Sequence, residues 1–339
     1  MNIDNNFIFP KFNLEDIDIK NEFNFCINKI KDVQDSNSNN SECFLSFYAI
    51  AKNIRFISSY YFNSIKSGSK PIISNSCRPG EDNFWMSMTN DNWYPWIWSR
   101  GLNANSNYDA WNKIFKPIER SVDKEFTNIT NEVNDFYLYI TSLSHIFTVN
   151  DEYKDRLYDK YVNFDLPDKI IGLQIRRGEI VPKDGNVDDA WNGRPIYHID
   201  DYMNGIELIS NKIGTKNIFV STDSKETIDY LINNYKEYNF YYNNFDRELF
   251  LRYGGKDTNV GLEFDLLKNI DLISHYLDSG VIDLLMLSNC DAYVGGMSWS
   301  EYGATGWFLQ MGNKKCITPY YNVEGDFDIN SKQVGLLLI

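Results

Sequence analysis

Positive charge is in short supply. Lys and Arg number 33 against 47 Asp and Glu, a formal net charge of -14 over 339 residues, which argues against nucleic acid or an anionic membrane surface as the main partner. Cysteine is sparse: Cys26, Cys43, Cys77, Cys290 and Cys316 are an odd number at wide gaps, with no C-x-x-C pair. A reduced, cytoplasmic-type setting fits that pattern better than a disulfide framework. No apolar run approaches the roughly 20 residues of a membrane span. Met1 to Phe7 has neither the basic region nor the apolar core of a signal peptide, so the expectation is a cytoplasmic chain with no transmembrane segment. No G-x-G-x-x-G follows a predicted strand and no G-x-x-x-x-G-K-[ST] occurs, which disfavours dinucleotide enzymes and P-loop NTPases. An Asp-x-Asp at a strand end is missing too, so no metal is expected.

What is present is core material and aromatics, with 43% hydrophobic and 16% aromatic residues, and a length that suits two domains of ordinary size. In the first half the apolar spacing predicts helices over about 14 to 33 and 43 to 66, the second presenting Phe44, Phe47, Ile50, Ile54 and Ile57 on one face. Asp35 to Ser41 reads as a polar connector, and Lys70-Pro-Ile-Ile-Ser74 as a strand. A long helix is expected from Asp123 to Thr148, with His145 near its end as a packing residue rather than a base. Asn163 to Lys169, with Pro167, reads as the domain boundary.

Between Cys77 and Trp111 the composition changes. Trp85, Trp93, Trp96, Trp98 and Trp111 crowd among Asp, Asn and Gly. Indole faces pack on the C–H faces of sugars while Asp and Asn take hydroxyls, so the cluster suits a glycan acceptor; for any single Trp, core packing is the plainer reading.

The second half alternates. Strands are predicted at 170–175, 217–221, 238–242, 291–294 and 315–318, and helices at 199–213, 224–236, 281–289 and 300–311. This is an α/β pattern, a doubly wound, Rossmann-like parallel sheet. The stretch 243–280 interrupts it and reads as a loop and crossover helix. The chain is organised around Lys169-Ile-Ile-Gly-Leu-Gln-Ile-Arg-Arg-Gly-Glu179, an apolar strand discharging into two cations, a glycine and an acid. The carboxyl ends of parallel strands face the ligand crevice, which would put Arg176 and Arg177 at its mouth. Arginine's planar fork matches a pair of phosphate oxygens.

Four stretches in order, this one, Pro195-Ile-Tyr-His-Ile-Asp-Asp-Tyr-Met203, Asn217-Ile-Phe-Val-Ser-Thr-Asp223 and Gly280 to Ser298, resemble the donor-site motifs of the α1,6/α1,2/protein O-fucosyltransferase superfamily. Core α1,6-fucosyltransferases and bacterial nodulation fucosyltransferases are the nearest types. The resemblance covers roughly residues 168 to 311 and implies a GT-B-like fold of two domains. Residues 1–165 would form an acceptor-side domain with the Trp-rich loop, 166–320 the nucleotide-sugar domain, and 321–339 a tail. It further implies a metal-independent inverting transfer of fucose from GDP-fucose, the donor substrate, to a glycan hydroxyl. Arg176 matches the arginine on the β-phosphate, with Arg177 its neighbour. Gln174 stands where the family commonly has histidine, and Gly303 where it has an arginine. Thr222 and Asp223 match the second motif, Asp283 the guanine-recognising Asp with Ile282 beside it, and Ser298 and Ser300 the phosphate-binding third. Asp283 is expected beside a backbone turn, where its carboxylate accepts from guanine N1–H and the exocyclic amine. Glu179, Asp188 and Asp189 are the candidate bases; His198 reads as a residue that caps or packs, and Asp200 as a helix N-cap. Trp85, Trp93, Trp96 and Trp98 would contact acceptor. A transferase using another nucleotide sugar, or a catalytically silent glycan-binding descendant, remains open.

Overall fold

The computed structural model describes residues 16–36, 38–45, 50–74, 102, 104, 106–120, 135–177, 196–248, 270–296 and 301–325. Helix α1 (Asp16–Gln34) buries Phe23, Cys26, Ile30 and Val33, a stripe at helical spacing. Strand β1 (Asn40–Cys43) follows, then α2 (Ile50–Ser67), whose Ile54, Ile57, Tyr61 and Ile65 are fully buried, and β2 (Lys70–Ile73), which pairs with β1 in parallel. Helices α3 (Asn107–Ile114), α4 (Asp135–Ile146) and α5 (Asp151–Tyr161) complete this half. Ser106 caps α3 and Asn150 caps α5, each accepting a backbone N–H of the first turn. The long helix expected from Asp123 is described from Asp135 onward; Phe126, Ile129 and Val133 lie outside the described residues.

The second half is the doubly wound sheet. Strands β3 (Ile171–Ile175), β4 (Asn217–Thr222), β5 (Asn239–Tyr241), β6 (Ala292–Gly295) and β7 (Tyr320–Asn322) form a parallel sheet in the order β5-β4-β3-β6-β7. The first strand sits in the middle, so the topology reverses between β3 and β6, the place where open α/β sheets bind ligands. Helices α6 (Ile199–Ile213) and α7 (Lys225–Asn234) cover one face. There Ile171, Leu173 and Ile175 of β3 meet Met203, Ile206 and Ile209 of α6 and Ile228 and Leu231 of α7. Helices α8 (Ile270–Asn289) and α9 (Glu301–Lys314) cover the other. Gly172 faces them, and a Cβ there would stand 3.0 Å from Leu287 and 3.3 Å from Cys290, so the glycine lets α8 lie close on the strand.

The outer faces of α8 and α9 are covered by the first half. Ile273, Leu277, Val281, Trp307 and Phe308 belong to one buried cluster with Phe23, Ile54, Tyr61, Trp111 and Ile140, and Phe308 meets Phe136 and Tyr139 edge to face. Each such side chain contributes about 1.5–3 kcal/mol by burial. A polar clamp adds to this. Asp278 of α8, 1% exposed, accepts from Tyr153 Oη at 2.7 Å, from both Arg156 Nη atoms at 3.1 and 3.0 Å, from Lys160 Nζ at 3.4 Å and from Tyr161 Oη at 3.3 Å, all of them on α5.

Several expectations need correction. Strand β1 begins at Asn40, inside the stretch read as connector and helix, because β2 offers its polar Asn-Ser-Glu a parallel partner. The last strand is at 320–322, not 315–318: the Pro319 carbonyl accepts the Tyr293 N–H at 2.9 Å and starts the pairing with β6. Helix α8 begins at Ile270, not 281, and Gly280 lies inside it, where a Cβ would meet Ile50 at 3.0 Å. Asp200 is not the N-cap of α6. His198 is, with Asp201 Oδ2 accepting its N–H at 3.0 Å, while Asp200 accepts from the hydroxyls of Tyr230 and Tyr235.

Candidate functional site

Strand register sets the site. Ile175 pairs with Thr222 and Gln174 with both Ser221 and Gly295, so β3, β4 and β6 end level. The next residue of β3 is Arg176, and that of β4 is Asp223. Arg176 Nη1 lies 2.9 Å from Asp223 Oδ2, and its side chain is 37% exposed, enough to reach a ligand. Asp223 Oδ1 accepts the Arg177 backbone N–H at 2.7 Å. The Arg177 side chain turns the other way and donates to the Tyr197 carbonyl at the entry to α6. Burial lowers its guanidinium pKa, opposed by Tyr202 and Asp223. The two adjacent arginines thus have different work: Arg176 stays partly exposed beside Asp223, and Arg177 ties the strand end to the next helix.

Thr222 keeps its hydroxyl for the chain, accepting the Ser224 N–H at 3.3 Å, and its carbonyl accepts from Arg247 Nε at 2.9 Å. Ser224 in turn caps α7 through the Thr227 N–H.

Asp283 is placed otherwise than its sequence context suggested. It sits in the interior of α8 rather than beside a turn, 4% exposed. Its Oδ2 accepts from Ser221 Oγ at 2.8 Å and its Oδ1 from Asn243 Nδ2 at 2.6 Å. Burial pushes its pKa up to about 6, against the opposing pull of Arg247, Asn243 and Ser221. Each oxygen keeps one further lone pair for a ligand. Ile282 beside it is fully buried in the core shared with the first half.

At the third strand end, Gly295, Gly296 and Gly303 surround buried groups. A Cβ on Gly303 would stand 2.5 Å from the Gly296 carbonyl and 2.8 Å from Gln174 Oε1, and it would also overlap the Tyr293 hydroxyl. Gln174 and Gly303 are therefore packed against each other, with the Tyr293 hydroxyl beside them. Glu324, just past β7, places Oε1 2.5 Å from where a Gly296 Cβ would be, and its charge helps to raise the pKa values of Tyr197, Tyr202 and Tyr293, each raised first by burial.

No protein-family model matches the chain, and no curated protein matches it. Among solved structures it is similar to fucosyltransferase NodZ from Bradyrhizobium, at 11% identity and a TM-score of 0.39, over 81% of this chain and 94% of that one. It is also similar to NodZ α1,6-fucosyltransferase soaked with GDP-fucose, at 13% identity and a TM-score of 0.35, over 80% and 92%. A third likeness is to POFUT1 in complex with GDP, at 12% identity and a TM-score of 0.33, over 84% and 73%. The first two of these are fucosyltransferase structures and the third is a GDP complex. At such identities and scores, the residues at the carboxyl edge of the sheet carry the functional reading, and the likeness does not.

Of the expected site residues, Gln174, Arg176, Arg177, Thr222, Asp223, Ile282 and Asp283 are described; Arg176, Arg177, Thr222, Asp223 and Asp283 take part in the polar contacts around the ends of β3 and β4, while Gln174 packs beside Gly303 and Ile282 lies in the core. Glu179, Asp188, Asp189, Ser298 and Ser300 lie outside the described residues, as do Trp85, Trp93, Trp96 and Trp98. Trp111, the described member of the tryptophan cluster, is core: it is 0% exposed, with its ring centroid 4.4 Å from that of Phe115. His145 packs as expected, Nε2 3.0 Å from the Ile118 carbonyl, with burial lowering its pKa to about 3. Asn243, Arg247 and Glu324 were missed. The first two stand directly after β5, in a stretch read as an interruption, although a buried-looking Tyr-Asn-Asn-Phe-Asp-Arg run at a strand end was the available signal.

Proposed function

We propose that the chain is a glycosyltransferase that moves fucose from GDP-fucose to a hydroxyl of a glycan acceptor, with inversion and without a metal. The observation that carries this reading is Arg176, half-exposed at the end of the central strand and beside the point where the topology reverses, poised on Asp223. A sugar–diphosphate bond breaks heterolytically, leaving charge on the departing β-phosphate, and a fixed guanidinium stabilises that charge as it develops. The acceptor oxygen forms the new bond to the anomeric carbon, its proton passes to a carboxylate, and GDP departs. Glu179, Asp188 and Asp189 remain the candidates for that base, with Ser298 and Ser300 for the phosphate. Asp283, ionised above about pH 6, has a lone pair on each oxygen for the guanine edge.

The domain reading is likewise proposed: 1–165 as acceptor side, with the tryptophan loop contacting glycan, 166–320 as nucleotide side and 321–339 as a tail, in a GT-B-like arrangement. A transferase using another nucleotide sugar is the second reading. It is favoured by Gln174 and Gly303, which stand where the family carries histidine and arginine and pack against each other beside Tyr293.

Calorimetric titration with GDP, GDP-fucose, UDP and ADP, repeated on Arg176→Ala, tests the proposal. Guanine nucleotides binding alone, and more weakly to the variant, is the expected result. UDP binding in preference, or no nucleotide binding at all, would overturn it.

A further inference from the structure

The carboxyl edge of the sheet carries a third cation, deeply buried. Arg247 is 6% exposed. Its Nε donates to the Thr222 carbonyl at 2.9 Å, its Nη1 to the Phe245 carbonyl at 3.4 Å, and its guanidinium carbon lies 3.9 Å from the centroid of the Phe245 ring. Among the described residues its Nη2 has no hydrogen-bond partner. Asp283 hangs on the neighbours of these same groups. It is bonded by Ser221, adjacent to Thr222, and by Asn243, in the segment that carries Phe245. Cation and carboxylate are therefore held by the same two chain segments, and both are largely buried.

A carboxylate in that position reverts to the neutral acid unless a positive charge opposes the loss of solvent. The groups that face Asp283 are Ser221 and Asp223 at the end of β4, Asn243 and Arg247 after β5, and Tyr302 of α9. Arg247 is the cation of this set; Asp223 is a like charge and acts the other way. Arg247 itself faces Asp223 and Tyr242.

We propose that Arg247 is a positioning residue that keeps Asp283 ionised, so that the carboxylate can accept hydrogen bonds from the purine edge of the nucleotide donor. This rests on the nucleotide reading above. A protonated Asp283 would present an O–H to the N1–H of guanine, donor against donor, and recognition would fail. Without Arg247, Asp283 remains proton-bound further into the neutral range. Among the effects that hold it down to about 6, Arg247 is the largest.

The test follows two readouts on the full chain for the wild type, Arg247→Met, Arg247→Gln and Arg247→Lys. The first is the titration of the Asp283 carboxyl carbon by NMR without nucleotide, and the second is GDP affinity by calorimetry across the same pH range. In the wild type, affinity should fall about tenfold per pH unit below the carboxyl midpoint. Arg247→Met should move the midpoint up and carry the affinity curve with it, weak at neutral pH and restored at alkaline pH. Arg247→Lys should stay near the wild type. Arg247→Gln, which can still bond the Thr222 carbonyl, stands in if the methionine variant does not fold. An unmoved midpoint in the neutral variants, or an affinity lowered equally at every pH, overturns the proposal. A midpoint that moves while no protein binds GDP sinks the donor reading instead, and with it any role toward a base, but leaves the coupling between Arg247 and Asp283 standing.

Discussion

Arg176 and Asp223 face each other across the ends of neighbouring strands, Nη1 to Oδ2 at 2.9 Å. The other oxygen of the same carboxylate holds the backbone of Arg177. A cation parked on a strand-end carboxylate is already oriented when an anion arrives.

Arg176→Ala should therefore weaken GDP by the value of a charged hydrogen bond, about 1.5–3 kcal/mol, which is roughly 10- to 150-fold in affinity. Arg176→Lys should recover little, because an ammonium is a point charge and cannot offer the planar fork. Calorimetry with GDP on both variants checks this.

Asp283→Asn should separate stability from binding. The folded-state pKa of Asp283, about 6, lies above its ordinary 3.8, so its contribution to stability is full below the ordinary value and is lost as pH rises through about 6. At neutral pH the buried charge costs about 3 kcal/mol. The variant should melt above the wild type at pH 7, converge with it in acid, and bind GDP poorly. Asn243 can turn its amide to suit, since its Oδ1 has no partner among the described residues.

His145 has the opposite sign. Burial holds its folded pKa at about 3, below the ordinary 6.5, so its stabilisation is present above about 6.5 and is lost as pH falls through that window. Urea unfolding at a series of pH values should show an acid loss in the wild type that His145→Gln lacks.

The Asp278 clamp should be uneven. Asp278→Ala removes the acceptor of the buried Tyr153 hydroxyl and should cost about 1.5–3 kcal/mol. Lys160, with a side chain 52% exposed, should cost under about 1 kcal/mol when changed to Ala. Chemical denaturation of the two variants measures the difference.

Gly303→Ala should destabilise by about 1–3 kcal/mol, because its methyl group would meet the Gly296 carbonyl, a backbone atom that cannot swing aside. Thermal melting checks this, and shortening Tyr293 to Phe in the same chain should relieve part of the cost.

Much of the second half was legible because its signals were local. Helix α6 matches its predicted span, with Gly214 at φ 71 closing it and Tyr202, Ile206 and Ile209 on the buried stripe. Strand β3 reads as apolar because both of its faces are covered. What escaped was set by distant partners. Asn-Ser-Glu-Cys is no strand by composition and becomes one only beside Lys70–Ile73. Gly280 looks like a helix start, yet it is kept small by Ile50 and receives the Tyr302 hydroxyl on its carbonyl at 2.7 Å. That misread boundary also misplaced Asp283, and Arg247 went unnoticed because its role depends on a carboxylate on another element.

The shared packing of α8 and α9 has a consequence in time. Helices α1 to α5 leave the ribosome before α8 and α9, against which the first half buries much of its apolar surface. The last described strand of the sheet, Tyr320–Asn322, follows soon after. Synthesis at roughly 5–20 residues per second leaves the early helices waiting many seconds with their apolar sides unmatched. Neither half can finish before the other, and the growing chain should depend on chaperones until its last described strand has emerged.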